Sequence, residues 1–439
     1  MALTGDRTFV GFGFGPIQAG LFLFEAFRSG NFRRLVVAEV QSHVVDSVRR
    51  AGGRFSVNIA HADRVEIAGV GPVGIADPAS AEDRSLLVEA VAQAQEIATA
   101  VPSVQHYTSS SPGSIHCLLA AGLRKKASAR AAAAVVYAAE NHNHAAEILE
   151  AHVLDLIPPT EREAVHARVR FLNTVIGKMS GVVSNEAEVR QRGLSPISPR
   201  DQRAFLVEAF NRIFISRIHF NDAGSEPVFR RGIEVFEEKD DLMPFEEAKL
   251  YGHNATHALA AYVGAVMGVQ RIADLAESAV FSFLRTAFLE ESGQALICRH
   301  QGVDSLFTSE GYREYADDLL VRMFNPFLGD TVERVGRDPA RKLSWDDRLV
   351  GTMRVALRAG IIPHRFAFGA AAALAAMDPS FLEGMKPASA FLEPIWREQL
   401  INPAEKEKVL PLIEEGRRRL RFWCDRDFSP LESLFDGAL

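Results

Sequence analysis

The 439-residue sequence predicts an α/β N-terminal domain followed by a mainly α-helical C-terminal domain, and three observations support that prediction. Thr8-Phe9-Val10 reads as a short buried strand that runs directly into the glycine turn from Gly11 to Pro16 and then a helix ending at Ser29-Gly30-Asn31. Ala132–Ala139 is a continuous apolar run of the kind a parallel sheet buries on both faces. From about Asp240 the apolar spacing is helical almost to the end. The change of pattern falls near 235–245, so the expected domains are 1–240, α/β, and 241–439, helical.

Composition narrows the function. Apolar residues make up 47% and charged residues 24%, ordinary for a soluble globular protein. A net charge of −7 offers no global basic field to nucleic acid or an anionic membrane. No apolar run approaches the roughly 20 residues needed to span a bilayer. The first residues lack the basic-then-apolar pattern of a signal peptide. Cys117, Cys298 and Cys424 lie far apart with no CxxC, which fits reduced thiols and argues against a cysteine-based zinc site. The expectation is a cytoplasmic monomer or small homo-oligomer that acts on a small molecule, without nucleic-acid or membrane partners.

Strand, glycine turn and helix form the setting in which a glycine fingerprint binds a pyrophosphate, because the backbone can approach closely and the helix start offers N–H groups. The register is Gly13-x-Gly15-Pro16-Ile17-Gln18, so the third glycine of the usual pattern is absent and Gly20 lies two residues on. The next strand, Leu35–Glu39, ends in an acid about 24 residues after Gly15, near the ~20 expected for the group that binds the adenosine ribose. A carboxylate there accepts from a 2′-hydroxyl and repels a 2′-phosphate. NAD is therefore expected over NADP, the alternative being an exposed acid at a strand end. Ile97–Val101 reads as a further strand, with Thr99, Ala100 and Val101 as a lip of the cofactor cleft.

Arg54–Ile59 and Val65–Ile67 also read as strands, and helices are expected over 81–94 and 113–127. The buried strand at 132–139 runs into Glu140-Asn141-His142-Asn143-His144, and the C-terminal ends of such strands are where open α/β sheets keep their ligands. His142 and His144 have no third ligand in view, so no metal is expected. Phe171–Met179 reads as a strand and 181–203 as loop. Ala204–Phe210 and Ile213–His219 are expected to close the sheet as antiparallel additions.

The helical run after Asp240 contains Lys249, Asn254 and His257 in a K-x4-N-x2-H spacing among small residues. At about 100° per residue, Asn254 lies roughly 140° and His257 roughly 80° from Lys249, which puts all three on one broad face. An amine, an amide and an imidazole together can remove a proton and stabilise the oxyanion left behind. The competing reading is a partly buried helix with a satisfied histidine and a snorkelling lysine. Arg334, Arg337, Arg341, Lys342 and Arg348 form a basic cluster in an acidic chain, suited to a phosphate or several hydroxyls. Its alternative is a solvated loop paired with Asp330, Glu333, Asp338, Asp346 and Asp347.

Taken together, four blocks resemble the polyol-specific long-chain dehydrogenases, the mannitol dehydrogenase family. They are the Gly13/Gly15 turn with Glu39, Glu140-Asn141, the Lys249…Asn254…His257 run, and Arg322-Met-Phe-Asn325-Pro326…Asp330…Arg334…Arg337…Arg341-Lys342…Asp347-Arg348. The resemblance runs from the first strand to about residue 375. It implies an NAD-binding Rossmann-like domain and a helical substrate domain, with substrate in the cleft between them. It assigns Lys249 as general base, Asn141 and Asn254 as oxyanion donors, and His257 as the group that orients substrate. Arg341, with Lys342 beside it, falls to polyol contact. The implied reaction is oxidation of a polyol phosphate of the mannitol 1-phosphate type to a ketose phosphate, without a metal. Ile176-Gly177-Lys178-Met179 has glycine where the family carries an acid, which removes one hydroxyl acceptor. Two alternatives stay open: an unphosphorylated polyol dehydrogenase or hexuronate reductase, and a nucleotide-binding homologue that has lost catalysis.

Overall fold

The computed structural model describes residues 5–220, 229–428 and 431–435. The chain divides into two compact units, Met1–Met243 and Pro244–Leu439.

Among the described residues the first unit has twelve strands: β1 Arg7–Phe12, β2 Phe32–Ala38, β3 Phe55–Ala60, β4 Val65–Val70, β5 Gly74–Ala76, β6 Glu96–Thr99, β7 Ala134–Ala138, β8 Val169–Val175, β9 Ser180–Val183, β10 Ala204–Glu208, β11 Ile213–Ser216 and β12 Phe236–Lys239. Eight of them form the main sheet in the order β12-β11-β8-β7-β6-β1-β2-β5. From β8 to β5 all pairings are parallel, and β11 adds antiparallel to β8. The order reverses between β1 and β6, so the carboxyl ends of these two strands open a crevice, the place where doubly wound sheets bind ligands. β1 alternates its buried side chains, with Phe9 in the core on one face and Val10 and Phe12 in the core on the other. That two-sided burial explains the unbroken apolar character of the strand.

The predicted Rossmann-like class holds, and several local expectations are corrected. β3 and β4 leave the main sheet and pair as an antiparallel hairpin in a second sheet ordered β4-β3-β10-β9. Ala204–Glu208 belongs to this small sheet too, parallel to β3 and antiparallel to β9, and so does not close the main one. Apolar alternation shows that a strand exists; it does not show which sheet takes it. The stretch 181–203 is more than loop: β9 enters it, and Glu186–Gln191 is a helix capped by Asn185. The strand expected to reach Met179 ends at Val175, and the strand expected to reach Val101 ends at Thr99.

The missing third fingerprint glycine has a structural counterpart. Gln18 opens a π-helical turn, Gln18–Leu23, that passes into the α-helix Phe24–Ser29. Its side chain is fully buried against Gly11 of β1, where an added Cβ would fall 2.2 Å from Nε2. The glycine that allows close approach has moved from the helix to the strand.

The second unit is helical. Ala255–Val266, Ser309–Met323, Val350–Arg358, His364–Met377 and Pro403–Cys424 are its main helices, packed around one apolar core that includes Trp345, Trp423, Phe283 and Phe368. Among the described residues no helix is long and apolar enough to cross a membrane.

Candidate active site

In the first unit a pocket of about 730 Å³ opens at the crevice between the carboxyl ends of β1 and β6. Gly13, Gly15, Pro16, Ile17, Glu39, Ala100 and Val101 line it. Gly13 has φ +85°, and a Cβ there would sit 2.7 Å from the carbonyl oxygen of Ala100, so the turn requires glycine. The Glu39 carboxylate ties the turn to the end of β2. One oxygen accepts from the Phe14 N–H at 3.0 Å and the other from the Gln41 N–H at 2.7 Å. These bonds use two of about four acceptor sites, which leaves capacity for ribose hydroxyls.

Thr99 does not line the pocket. It is fully buried, and its hydroxyl donates to Glu140 at 2.9 Å. The same carboxylate accepts from the Val101 N–H at 2.9 Å and from the Tyr107 hydroxyl. Burial raises the Glu140 pKa against the pull of these donors. Glu140 thus clamps the Thr99–Val101 lip, a role its place in the sequence did not reveal. Asn141 follows it on an exposed turn after β7. Arg203, paired with Asp201 at 2.6 Å, also lines the pocket and immediately precedes β10 of the small sheet. Its contribution depends on a fold of the chain that no local spacing announces.

In the second unit Lys249, Asn254 and His257 lie on one continuous helical segment that is not uniformly α-helical. Met243–Glu247 is α, Ala248–Asn254 is a π-helical turn, and Ala255–Val266 is α again. The 140° separation expected for Lys249 and Asn254 is therefore corrected: hydrogen bonds from i to i+5 stack residues five apart. Lys249 is half-buried, and its amine is pulled down to about 8 by burial, then by the Arg348 charge, with Glu246 opposing. His257 falls to about 4, mainly through burial, while Asp330 pulls the other way. Its Nε2 lies 3.6 Å from Asp330 Oδ2, and Asp330 also pairs with Arg334. His253, one turn earlier and buried, is held well below its ordinary value, first by burial. Both rings are neutral at neutral pH.

The two basic candidates diverge. Lys342 is buried, its Nζ donates to the Arg337 carbonyl, and burial with the Arg348 charge lowers it to about 8. Arg341 is half-exposed and pairs with Asp338 at 3.1 Å. Arg348, 12% exposed and bound to Asp347 at 2.7 Å, is the cation felt by Lys249, His253, His257 and Lys342 together. The sequence offered Arg348 only as one of several cations for a phosphate or hydroxyls and Asp330 only as a pairing acid; neither was expected beside the helix residues. Among the described residues no three His, Cys, Asp or Glu side chains converge to hold a metal ion.

The family model of the mannitol dehydrogenase Rossmann domain matches residues 7–226, and that of the mannitol dehydrogenase C-terminal domain matches 241–400. The chain belongs to the mannitol dehydrogenase family. A mannitol-1-phosphate 5-dehydrogenase of Bacillus licheniformis is 30% identical over 363 residues, covering 83% of this chain and 86% of that protein. One from Pseudarthrobacter chlorophenolicus is 34% identical over 254 residues, 58% of this chain and 59% of that protein. Among solved structures, Pseudomonas fluorescens mannitol 2-dehydrogenase, in a ternary complex with NAD and D-mannitol, aligns with a TM-score of 0.72 at 16% identity over 100% of this chain and 96% of that one. Substrate-free D-sorbitol dehydrogenase aligns with a TM-score of 0.74 at 15% identity, covering 96% and 95%. At those identities the likeness shows the mannitol dehydrogenase fold. Membership makes the chain an oxidoreductase with a dinucleotide-binding Rossmann domain.

Proposed function

We propose that this member of the mannitol dehydrogenase family is an NAD-dependent dehydrogenase of a polyol phosphate, interconverting a mannitol 1-phosphate type alcohol and a fructose 6-phosphate type ketose. The observation that supports it most is Lys249: an amine brought to about 8, on the same π-helical turn as Asn254, with the neutral His257 two residues into the following helix. The residues of the first unit fit NAD. The Gly13–Ile17 turn would hold the pyrophosphate, Glu39 the adenosine ribose, and Ala100 and Val101 the wall beside them. The bound nucleotide supplies the hydride acceptor.

The remaining chemistry falls to the chain. In oxidation, neutral Lys249 takes the proton of the substrate hydroxyl at Nζ while the carbon loses hydride. Asn254 donates to the oxygen as it gains alkoxide character, the task also given to Asn141, and each preorganised donor is worth about 3–4 kcal/mol of barrier. Neutral His257 orients a hydroxyl by hydrogen bonding. In the reverse direction the Lys249 ammonium returns the proton. Lys342 and Arg341 are assigned to the phosphate end, and the names of the two relatives at 30% and 34% identity favour a phosphorylated substrate.

A second reading, an unphosphorylated polyol, is favoured by the pairing of Arg341 with Asp338. Titrating the purified protein and NADH with fructose 6-phosphate, fructose and fructuronate separates them. The proposal expects fructose 6-phosphate to give the highest kcat/KM by at least about tenfold, the ~1.4 kcal/mol of one charge-assisted contact. A phosphate-free ketose ahead by that margin rejects the phosphate assignment.

A further inference from the structure

The Lys249 turn raises a question of its own: what keeps it π-helical? A widened turn disturbs the α-helical hydrogen bonds, and here the disturbed group is identifiable. The N–H of Ala255, which in an α-helix would serve the Tyr251 carbonyl, bonds instead to the carbonyl of Gly252. The Tyr251 carbonyl receives two side-chain hydroxyls from elsewhere. Ser292 Oγ donates to it at 2.8 Å, and Thr352 Oγ1 lies at 3.2 Å, sharing its proton with the Arg348 carbonyl at 2.5 Å. Ser292 belongs to a second π-helical turn, Ala287–Gly293, and Thr352 to the helix Val350–Arg358. Each is only 1% exposed, so water cannot replace either hydroxyl. The turn also presses on this wall: a Cβ on Gly252 would fall 2.7 Å from the Tyr312 hydroxyl and 2.8 Å from the Phe288 ring.

We infer that Ser292, seconded by Thr352, is a positioning residue that holds the 248–254 turn in its π register and so keeps Lys249 and Asn254 stacked on one side. The inference rests on the proposed roles of Lys249 and Asn254 and adds to them the groups that fix their spacing. Neither hydroxyl touches substrate in this account. Each acts through one backbone carbonyl midway between base and oxyanion donor. Without them the favoured relaxation is an α-helical turn, which leaves Asn254 roughly 140° from Lys249 in projection. Binding should suffer less than turnover, since Arg341 and Lys342, assigned to the phosphate end, lie outside the turn, whereas base and donor would no longer act jointly on one oxygen.

The test compares full-length wild type with Ser292→Ala, Ser292→Thr, Thr352→Val and Lys249→Ala, using NAD and mannitol 1-phosphate. For Ser292→Ala, kcat should fall by about tenfold or more, with KM and the NADH dissociation constant within about twofold of wild type. Ser292→Thr, which keeps a hydroxyl, should recover most of the rate. Hydrogen exchange of peptides covering 248–256 should speed up in the alanine variant and return toward wild type in the threonine one. A packing role alone would lower the melting temperature without this kcat-against-KM split. Wild-type kcat in Ser292→Ala, with Lys249→Ala inactive, overturns the inference and leaves the reading of the site intact. An active Lys249→Ala rejects that reading and the inference with it. Should Ser292→Ala not fold, Thr352→Val is read in its place, with a smaller drop in kcat expected and an unchanged kcat overturning the inference.

Discussion

The base proposed here, Lys249, draws only on burial and a neighbouring charge. A free lysine titrates near 10.4 and is almost wholly charged at neutral pH. Burial penalises the ammonium, and Arg348 adds repulsion, so that the amine here comes down to about 8. The sign of the pH dependence follows. Alcohol oxidation needs the neutral amine, so kcat for oxidation should rise through a limb near pH 8; kcat/KM also carries Lys342, lowered to about 8 as well, whose charge at the phosphate end is lost over the same range. Ketose reduction needs the ammonium and should fall over the same range. His257, at about 4, and His253, held well below its usual value, stay neutral across this window and add no limb between pH 5 and 8. Replacing Arg348 with methionine removes the repulsive cation and should move the limb upward. Steady-state pH profiles of wild type and Arg348→Met check both; a limb that stays put in the variant refutes the electrostatic role of Arg348. At this scale the sequence nominated Lys249, Asn254 and His257 as one group. It could not reveal the partners that tune them, because Asp330 and Arg348 reach the site from about 75 and 100 residues away along the chain.

At the scale of elements, two of the three π-helical turns among the described residues changed what the sequence predicts. The first, Gln18–Leu23, replaces the third fingerprint glycine with a buried glutamine and shifts the need for glycine to Gly11 of β1. An added Cβ at Gly11 meets Gln18 Nε2 at 2.2 Å and Cδ at 2.7 Å, and the fully buried Gln18 has little room to withdraw. Gly11→Ala should therefore cost about 1–3 kcal/mol, the usual penalty for overpacking. In a Gln18→Gly background the same change should cost much less, because the clashing side chain is gone. Denaturant midpoints of the four proteins in the cycle give the coupling, and simple additivity would show that the two positions do not compensate. The second turn, at Ala248–Asn254, altered a prediction made from 100° per residue. The K-x4-N spacing matches the five-residue hydrogen-bond span of a π turn, a signal that 100° per residue overlooks. The small β4-β3-β10-β9 sheet was illegible for a different reason. Period-two alternation identifies strands, but the partner of β10 lies some 145 residues earlier, and no local pattern encodes that pairing.

At the scale of the whole molecule, the division into an α/β unit and a helical unit was legible because the two halves differ in hydrophobic period throughout their length. Family membership was legible because four separated blocks agree, each weak alone. Whether the substrate carries a phosphate was not, since Arg341 and Lys342 read alike in sequence, while the fold buries one and leaves the other half-exposed and paired. The account's central claim is that Lys249 performs the proton transfer in a protein whose first unit binds NAD independently of that lysine. Lys249→Ala tests it most directly, assayed for mannitol 1-phosphate oxidation beside the rise in melting temperature produced by saturating NAD. The account predicts a loss of about 10²–10⁴-fold in kcat, with the NAD-induced stabilisation, about 2.7 kcal/mol at a hundredfold excess over Kd, the same in both proteins. Wild-type turnover in Lys249→Ala, with that stabilisation intact, would contradict it.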